Sequence, residues 1–398
     1  MKRILIFSLQ YYPFVGGAEV AIKEITDRIS PEEVEFHMVT PQYDSMLPKI
    51  EKIGNVLVHR IGVATKKPNI ADLRRFPLHL NKYLFQLQAV GVATKLHKKY
   101  QYNSIWAMMA HAAAIPAGIF KKKHPGVQYL LTLQEGDPTE HIERMMKPVW
   151  SLFKQGFKEA DTLQAISHFL LSWGIRMGNT GEQVVIPNGV DTAHFAQKFN
   201  VEEIEKEKER LEKKPEEVFL VTTSRLVHKN AVDDVICAVP HMPKNVTFLI
   251  YGIGPEEDNL RELTKELGLE ARVRFMGQIA HTDMPRMLNA CDIFIRPSRS
   301  EGMGNSFIEA MAAGLPVIAT QEGGIADFLF DAKRNPGKET TGWVVDANAP
   351  EQITEAVSDI LTNPETVSTV TNTARALAKT TYDWNLIAPQ MKNLFMKG

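Results

Sequence analysis

The residues from Arg296 to Gly324 combine two carboxylates with a loop and a helix start that favour an anion. They read RPSRSEGMGNSFIEAMAAGLPVIATQEGG, in which a short apolar strand leads into a Pro/Ser/Gly loop and then into a helix predicted to begin near Asn305. Free N–H groups at a helix N-terminus, together with the helix dipole, attract phosphate. Glu301 is predicted in the loop and Glu309 a turn into the helix, so both can reach one ligand. A diphosphate with hydroxyl-rich groups at both ends fits this chemistry.

Two cations follow the first strand of the second half of the chain. Arg225 and Lys229 stand in the segment TSRLVHKN, directly after an apolar run. A rigid guanidinium fork and a flexible ammonium at this spacing can both reach a diphosphate. A solvated surface pair is the alternative, but the helix start near Asn305 in the same half favours the functional interpretation.

Small residues end several other predicted strands. Gly16 and Gly17 precede a predicted helix, where glycine lets the backbone approach a phosphate or carboxylate closely. Gly252 and Gly277 lie at the ends of two strands of the second half, Gly277 directly before Gln278, and these glycines leave room for a flat ring or a ribose. Ordinary turn chemistry explains the same glycines. NAD binding is less favoured than either interpretation, because the full Gly-x-Gly-x-x-Gly pattern is missing.

The first half has polar residues at two strand ends. His111 follows the apolar strand SIWAMM, and Gln134, Glu135 and Asp137 follow the next one in LTLQEGDP. A lone histidine is more often structural, whereas a polar cluster directly after an apolar strand is harder to explain by packing. Because ligands bind at the carboxyl ends of strands in doubly wound sheets, both positions are candidates for binding.

Charge is distributed unevenly along the 398 residues, although the net charge is only −1. Residues 1–190 have 23 Lys and Arg against 16 Asp and Glu (+7), and residues 191–398 have 23 against 31 (−8). The first half can therefore face an anionic partner, but it is too weakly basic and lacks the motifs for nucleic acid. Its segments 74–100 and 121–124 mix basic, aromatic and aliphatic residues, so docking on anionic lipid stays open beside ordinary amphipathic helices.

The two cysteines, Cys237 and Cys291, lie in apolar runs without metal-ligand spacing and are expected to be buried free thiols, which suits a reducing compartment. The first residues read as a strand without a signal-peptide h-region, and no apolar run approaches the roughly 18 residues that span a bilayer. We therefore expect a cytoplasmic protein, with peripheral contact to the inner face of the membrane as the open alternative.

Short apolar runs alternate with helical segments in two series. The first-half runs are 4–7, 36–40, 56–61, 105–109, 129–133, 163–166 and 184–186, and the second-half runs are 218–222, 246–251, 273–276, 293–296, 317–320 and 343–345. This alternation predicts parallel sheets of the βαβ kind, and two series predict two doubly wound domains. The turn-rich segment at 187–195 (PNGVDTAHF) is the predicted boundary.

Together these segments resemble a retaining glycosyltransferase of family 4 (glycosyl transferases group 1). The resemblance covers nearly the whole chain and rests on KRILIFSLQYYPFVGGAE, IPNGVDTAHF, SRLVHKN, YGIGP, FMGQIAHTDMP and the specific block from Arg296 to Gly324. It implies an α/β protein with the GT-B fold, in which two Rossmann-like domains face an inter-domain cleft. The chain end resembles a final helix that returns to the first domain, which gives domains of 1–190 plus 381–398 (acceptor side) and 191–380 (donor side).

The resemblance also implies roles for individual residues. Arg225 and Lys229 match cations that hold the donor diphosphate. Glu309 matches the carboxylate that binds the nucleotide ribose, and Glu301 matches the one that grips the donor sugar. Further implied donor-binding residues are Gly16, Gly17, Gly252, Gln278, Ile279, Gly302, Met303, Gly304, Asn305 and Ser306.

The implied reaction moves a hexose-type sugar from a nucleotide diphosphate sugar, a UDP-sugar first and a GDP-sugar next, to a glycan, lipid-linked or small-molecule acceptor. Glu301, Arg225, Lys229 and Gln134 form the implied catalytic set. No metal or cofactor is expected, since cations would stabilise the leaving diphosphate and no Asp-x-Asp triplet follows a strand. The implied acceptor side includes His111, Glu135 and Asp137.

Two alternatives and two departures accompany the resemblance. A GT-B nucleotide-sugar epimerase and a catalytically silent sugar-nucleotide-binding partner subunit remain alternatives. Gln134 stands where many relatives have a histidine, so it can donate a hydrogen bond but cannot accept a proton. Asn230 stands where the family often has glycine, which is expected to be a tolerated change in loop geometry.

Overall fold

The computed structural model describes residues 1–69 and 71–397, and the side chains of Ala71 and Arg74 lie outside the described part. Two compact units make up the chain. The first unit is Met1–Asn188 with Trp384–Gly398, and the second unit is Gly189–Asp383. Each unit contains one sheet whose strands alternate with helices along the chain.

The sheet of the first unit has eight strands in the order β3-β4-β2-β1-β5-β6-β7-β8. All neighbours pair in parallel except β3 and β4, which are antiparallel. Central strands are buried on both faces, which explains their continuous apolar sequences. The strands are β1 (Lys2–Phe7), β2 (Val34–Pro41), β3 (Ile50–Ile53), β4 (Val56–Ile61), β5 (Ser104–Met108), β6 (Gln128–Leu133), β7 (Thr162–Ala165) and β8 (Glu182–Val185).

The last helix of the chain belongs to the first unit. Phe395 of this helix packs edge-on against Phe36 and tilted against Trp106, with ring centroids 5.5 and 5.0 Å apart. The helices of this unit are α1 (Gly17–Asp27), α2 (Asn81–Tyr100), α3 (Ala110–Lys123), α4 (Thr139–Met146), α5 (Trp150–Lys158), α6 (His168–Arg176) and, from the chain end, α15 (Trp384–Met396). The chain therefore leaves the first unit after Asn188 and re-enters it at Trp384.

The sheet of the second unit has six parallel strands in the order β11-β10-β9-β12-β13-β14. Counted from β9, this is the 3-2-1-4-5-6 order of a doubly wound sheet, whose order reverses between β9 and β12. Ligands of such sheets bind beyond the carboxyl ends of the strands at this switch point. The strands are β9 (Val218–Thr223), β10 (Val246–Tyr251), β11 (Val273–Gly277), β12 (Ile293–Arg296), β13 (Val317–Ala319) and β14 (Trp343–Val344).

One hydrophobic core joins the sheet of the second unit to its helices. Ile295 of the sheet belongs to the same buried cluster as Val235 and Ile353, which lie on two of these helices. The helices are α7 (Thr192–Phe195), α8 (Val201–Arg210), α9 (Val232–Ala238), α10 (Glu257–Glu266), α11 (Met284–Ala290), α12 (Asn305–Ala313), α13 (Pro350–Thr362) and α14 (Pro364–Thr381).

The predicted GT-B type of architecture, α/β with two Rossmann-like domains, agrees with these sheets. Every predicted apolar run coincides with a strand to within two residues. The edge strand β3 was not predicted, because its sequence IEKI is short and half exposed. Both cysteines are free thiols as expected, but Cys237 is only half-buried, whereas Cys291 is buried.

Candidate functional site

Helix α12 begins at a left-handed glycine, Gly304, whose φ is +91°. A Cβ there would lie 2.6 Å from the ring of Phe307 and 2.8 Å from the guanidinium of Arg296, so only glycine fits. Gly304 has no side chain to cap the helix, and the N–H groups of Asn305 and Ser306 lie in the first turn, where helices lack internal acceptors. These N–H groups form an anion-attracting helix start.

Glu301 lies in the loop before this helix with a side chain that is 13% exposed. Its Oε2 accepts a hydrogen bond of 3.0 Å from Nη2 of Arg296, and its Oε1 accepts one of 3.2 Å from the backbone N–H of Gly302. Nζ of Lys229 lies 3.9 Å from the same Oε1. The loop carboxylate is therefore held between two cations.

Arg296 is a site residue that the sequence interpretation missed. It is the last residue of β12, and its side chain is 7% exposed. Its Nη1 donates a hydrogen bond of 2.8 Å to Oγ of Ser306. The guanidinium carbon lies 4.2 Å from the ring centroid of Phe307. Burial lowers the pKa of Arg296, while the charges of Glu301 and Glu309 oppose that shift. A charged residue ending an otherwise apolar strand was the signal available in the sequence.

Glu309 lies on α12, with a side chain that is 13% exposed. Its Oε1 is 3.8 Å from Nε2 of His281, whose ring stacks on His194 with centroids 5.3 Å apart. The histidine stack was not predicted, since the two residues are far apart in sequence. The two predicted carboxylates thus lie one in the loop and one in the helix, as their spacing indicated.

Met303 differs from its neighbours in this loop, because its side chain is 1% exposed and packs inside the second unit. Its predicted donor contact is therefore restricted to its backbone. Gly302 is also buried.

The cation loop, residues 225–231, follows β9 at the switch point of the sheet. Nδ2 of Asn230 donates a hydrogen bond of 2.6 Å to the carbonyl of Arg225. Ala231 has a φ of +53°, so the loop turns through a left-handed residue. Asn230 is 5% exposed and braces the loop across its base, which gives a physical reason why asparagine suits this position.

Gly252 is explained by close packing. Its φ is +142°, and a Cβ there would lie 1.7 Å from the carbonyl oxygen of Ser224. Gln278 and Ile279 instead border a cavity of about 300 Å³. The full lining is Glu207, Arg210, Tyr251, Met276, Gln278, Ile279, Ala280, Asp283 and Arg286. These two implied donor-binding residues therefore have open space beside them.

In the first unit, the two predicted glycines have different environments. Gly16 precedes α1, and its N–H donates 2.7 Å to Oε2 of Glu19, which closes the first turn. Burial raises the pKa of Glu19. A Cβ at Gly17 would meet no heavy atom within 4 Å. Packing within the described residues therefore does not explain the glycine at position 17, and space for a ligand is left there.

Glu135 has its carboxylate committed to the start of α3. Its Oε1 accepts a hydrogen bond of 2.5 Å from the N–H of Ala110 and lies 3.4 Å from Nδ1 of His111. Its Oε2 accepts a hydrogen bond of 3.0 Å from the N–H of Gln134. Glu135 is 1% exposed, whereas Asp137 is exposed. The structure thus joins Glu135 to His111 and leaves Asp137 at the surface.

Gln134 forms a reciprocal amide pair with Asn188. Nε2 of Gln134 donates 2.9 Å to Oδ1 of Asn188, and Nδ2 of Asn188 donates 3.2 Å back to Oε1 of Gln134. Asn188 is 5% exposed and was not predicted as a site residue, although it belongs to the segment IPNGVD. The pair fixes the orientation of Gln134 and leaves a second N–H on each amide.

Comparison with known families gives two matches that follow one another along the chain. The model described as "Glycosyltransferase Family 4" matches residues 15–194, and that described as "Glycosyl transferases group 1" matches residues 203–377.

Three of the proteins to which the chain is similar have lipids in their names. A GDP-mannose-dependent alpha-(1-6)-phosphatidylinositol monomannoside mannosyltransferase of Mycolicibacterium smegmatis is 29% identical over 59% of this chain and 62% of its own length. The counterpart from Mycobacterium tuberculosis matches over 55% of its own length, so the chain spans little more than half of these relatives. An alpha-monoglucosyldiacylglycerol synthase of Acholeplasma laidlawii is 21% identical over 95% of this chain and 92% of its own length.

Solved structures share the whole fold. Sucrose-phosphate synthase from Thermosynechococcus elongatus has a TM-score of 0.80 at 21% identity and covers 99% of this chain and 98% of its own. HepE of Anabaena, solved with UDP and glucose, has a TM-score of 0.75 at 21% identity and covers 99% of both chains. The chain therefore has the GT-B fold, with two parallel-sheet, Rossmann-like domains.

Proposed function

The chain belongs to glycosyltransferase family 4, and from this premise we propose that it transfers a hexose from a nucleotide diphosphate sugar, with retention of configuration, to a glycan or lipid-linked acceptor. The observation that carries the proposal is the arrangement at the switch point of the second unit. There the start of α12, the cation Lys229 and the carboxylate Glu301 occupy adjoining strand ends. This is what a ligand with a diphosphate next to a hydroxylated sugar requires.

The positive groups of this site suit a leaving diphosphate. Arg225, Lys229 and the first-turn N–H groups of α12 place fixed positive potential where negative charge develops, and preorganised groups of this kind usually contribute more to catalysis than any other effect. Arg296 lies behind Glu301 and orients its carboxylate with a hydrogen bond of 3.0 Å. In this assignment Glu301 accepts hydrogen bonds from the donor sugar, and Glu309 accepts them from the ribose.

We assign retention to attack on the face from which the diphosphate leaves, as the resemblance to retaining enzymes of family 4 implies. No carboxylate is assigned as a nucleophile. The acceptor hydroxyl forms the new bond to the anomeric carbon as the bond to the diphosphate oxygen breaks, and that oxygen takes the hydroxyl proton. The protein contributes orientation and electrostatic stabilisation, so a divalent metal is not required. Transfer is expected to persist in EDTA, and a loss that Mg²⁺ restores would contradict this part of the proposal.

The donor base is proposed to be uracil, with guanine as the competitor. Support for uracil comes from a structural relative solved with UDP, and support for guanine from curated relatives that depend on GDP-mannose. The cavity beside Gln278 and Ile279 is the proposed place for the base or ribose. A thermal-shift and calorimetric comparison of UDP with GDP decides between them, since a ligand that binds only the folded state raises its stability.

A lipid-linked acceptor is favoured by a surface of the first unit that we name the α2 surface. We define it by Tyr83 and Leu87, which are one helical turn apart on α2 and 59% and 78% exposed, by Lys82, whose Nζ lies 4.8 Å from the ring centroid of Tyr83, and by Phe76, which precedes the helix and is 80% exposed. Exposed aromatic and aliphatic side chains beside cations suit an anionic membrane surface. In residues 1–69 and 71–397, no helix is long and apolar enough to cross a membrane.

Vesicle sedimentation tests the α2 surface. Binding to vesicles with anionic lipid should exceed binding to neutral ones and should fall with added salt. A Phe76→Ser/Leu87→Ser variant should lose this binding, whereas substitution of Leu361, which is 38% exposed in the second unit, should not. Equal binding of both variants and wild type would remove the assignment.

The decisive experiment for the activity is a donor screen. Purified protein is incubated with UDP- and GDP-hexoses, with and without glycolipid acceptors, and nucleotide release and sugar transfer are measured. A transferase releases nucleotide in step with glycosylated acceptor. Nucleotide with altered free sugar and no acceptor requirement would favour an epimerase, and binding without turnover would favour a silent partner subunit.

A further inference from the structure

Arg299 lies in the loop between β12 and α12, and its side chain is 15% exposed. Its Nε donates a hydrogen bond of 2.7 Å to Oδ1 of Asn348. Its Nη1 donates two hydrogen bonds, one of 2.7 Å to the carbonyl of His228 and one of 2.9 Å to Oδ1 of Asp233. Nη2 donates 2.8 Å to Oδ2 of Asp233 and 2.6 Å to Oδ1 of Asp234. A guanidinium has five N–H donors, so every one of them is used.

These bonds join four segments of the second unit. They are the loop that contains Glu301, the cation loop, the start of α9 and the turn at Asn348. The backbone adds a further bond, because the N–H of Arg299 donates 2.7 Å to the carbonyl of Lys229. Oδ2 of Asp234 also accepts 3.0 Å from the N–H of Asn348. Arg299 therefore connects the backbone at Lys229 to the loop that contains Glu301.

The charges make this junction specific to arginine. Asp233 and Asp234 lie in the first turn of α9, where the helix dipole favours acidic groups. Burial raises the pKa of Asp234, and the nearby charge of Arg299 counteracts that shift. A lysine would supply the charge but only three donors, and it could not form the bidentate bond to Asp233. Without the guanidinium, the carboxylates of Asp233 and Asp234 would lose their shared cation, and the carbonyl of His228 and Oδ1 of Asn348 would lose their donor.

We propose that Arg299 is a positioning residue that sets the distance between Lys229 and Glu301, and thereby the affinity for the diphosphate of the donor. This inference rests on the proposed function of the site. Nζ of Lys229 and Oε1 of Glu301 are now 3.9 Å apart. A shift of the cation loop by about 1 Å is enough to misplace groups that must contact one ligand together. In this assignment Lys229 and Glu301 contact the donor before it reacts, so loss of Arg299 raises the KM for the donor, and only the part of their effect that is specific to the departing diphosphate lowers kcat.

The test compares Arg299→Ala and Arg299→Lys with a matched control, Arg334→Ala. Arg334 is also an arginine of the second unit; its Nη1 bonds Asp346 at 2.6 Å and its side chain is 35% exposed. The dissociation constants of UDP and GDP are measured by calorimetry, the KM and kcat for the donor by steady-state kinetics, and folding by thermal unfolding. Asp233→Asn is a second route to weakening the same junction, should Arg299→Ala fail to fold.

Arg299→Ala should weaken binding of the preferred nucleotide and raise its donor KM about tenfold or more, with a smaller change in kcat. Arg299→Lys should recover part of this affinity, Asp233→Asn should show a milder loss, and Arg334→Ala should stay within about twofold of wild type. Wild-type affinity in folded Arg299→Ala or Arg299→Lys protein, or an equal loss in Arg334→Ala, would overturn the inference while leaving the proposed function in place. Wild-type protein that binds neither nucleotide would overturn both.

Discussion

Replacing Arg296 by methionine should strongly destabilise the second unit. The arginine side chain is 7% exposed and pairs with a glutamate side chain that is 13% exposed. Methionine fills most of the same volume, so little cavity is created. What remains is the carboxylate of Glu301 without its closest cation, and the hydroxyl of Ser306 without its donor.

The magnitude follows from the burial of the pair. Breaking a buried ion pair on one side costs about 3–5 kcal/mol, because the remaining charge stays desolvated. For a unit of this size, 1 kcal/mol corresponds to a shift of roughly 2–4 °C in the unfolding temperature, so the expected fall is roughly 6–20 °C. A Glu301→Gln substitution in the same background removes the stranded charge and should recover about 2 kcal/mol.

A double-mutant cycle measures this coupling. The free energy of unfolding is determined by urea denaturation for wild type, Arg296→Met, Glu301→Gln and the double variant, with hydrogen exchange of the β12 and α12 segments to locate the effect. The reasoning is refuted if Arg296→Met lies within about 1 kcal/mol of wild type, or if the two substitutions are additive.

Three further predictions concern catalysis, a glycine and pH. Glu301→Ala and Arg225→Ala should abolish sugar transfer while far-UV circular dichroism stays that of wild type; turnover near the wild-type rate would remove the corresponding role. Gly17→Ala should not lower the unfolding temperature, since a Cβ there meets nothing within 4 Å and alanine favours the first turn of α1, but should lower donor turnover; unchanged kinetics would show that no ligand approaches this position. Burial lowers the pKa of His59 to about 4, with His37 adding to the effect. The unfolded chain, whose histidines titrate near pH 6.5, therefore binds more protons between these values, and stability falls by up to about 3 kcal/mol as the pH drops from about 6.5 to 4. Thermal unfolding across this range should be flatter for His59→Leu than for wild type, and parallel curves would exclude the contribution of His59.

The sheets and the loop-to-helix block could be predicted because their signals are local. A strand buried on both faces has a continuous apolar sequence, as in β10, and a helix that starts after a glycine loop shows this in its order of residues. The positions of Glu301 and Glu309 relative to α12 followed from the same block. The edge strand β3 was missed, since a short half-exposed strand leaves little periodicity to detect.

The partners of the site residues could not be predicted, because they come from distant segments. Asn188 pairs with Gln134 across 54 residues of sequence. Asn348 meets Arg299 across 49 residues. Side-chain pairing of this kind depends on which strand ends the fold brings together, and strand order has no local signature. Gly252 shows the opposite error. Its place at a strand end suggested a ligand, but the glycine is required because the backbone packs closely there.

The two arginines of the RPSRSEG segment show why residue type alone does not reveal a role. Arg296 is still in β12, so the alternation of the strand turns it into the core, where it bonds Glu301 and packs on Phe307. Arg299 comes after the proline and faces Asp233 on the start of α9. The first arginine fixes the direction of the Glu301 carboxylate, and the second fixes the loop on which that carboxylate stands. Because the two arginines act through different bonds, Glu301→Gln should recover stability in the Arg296→Met background and not in the Arg299→Ala background, where Asp233 and Asp234 are the carboxylates left without a cation.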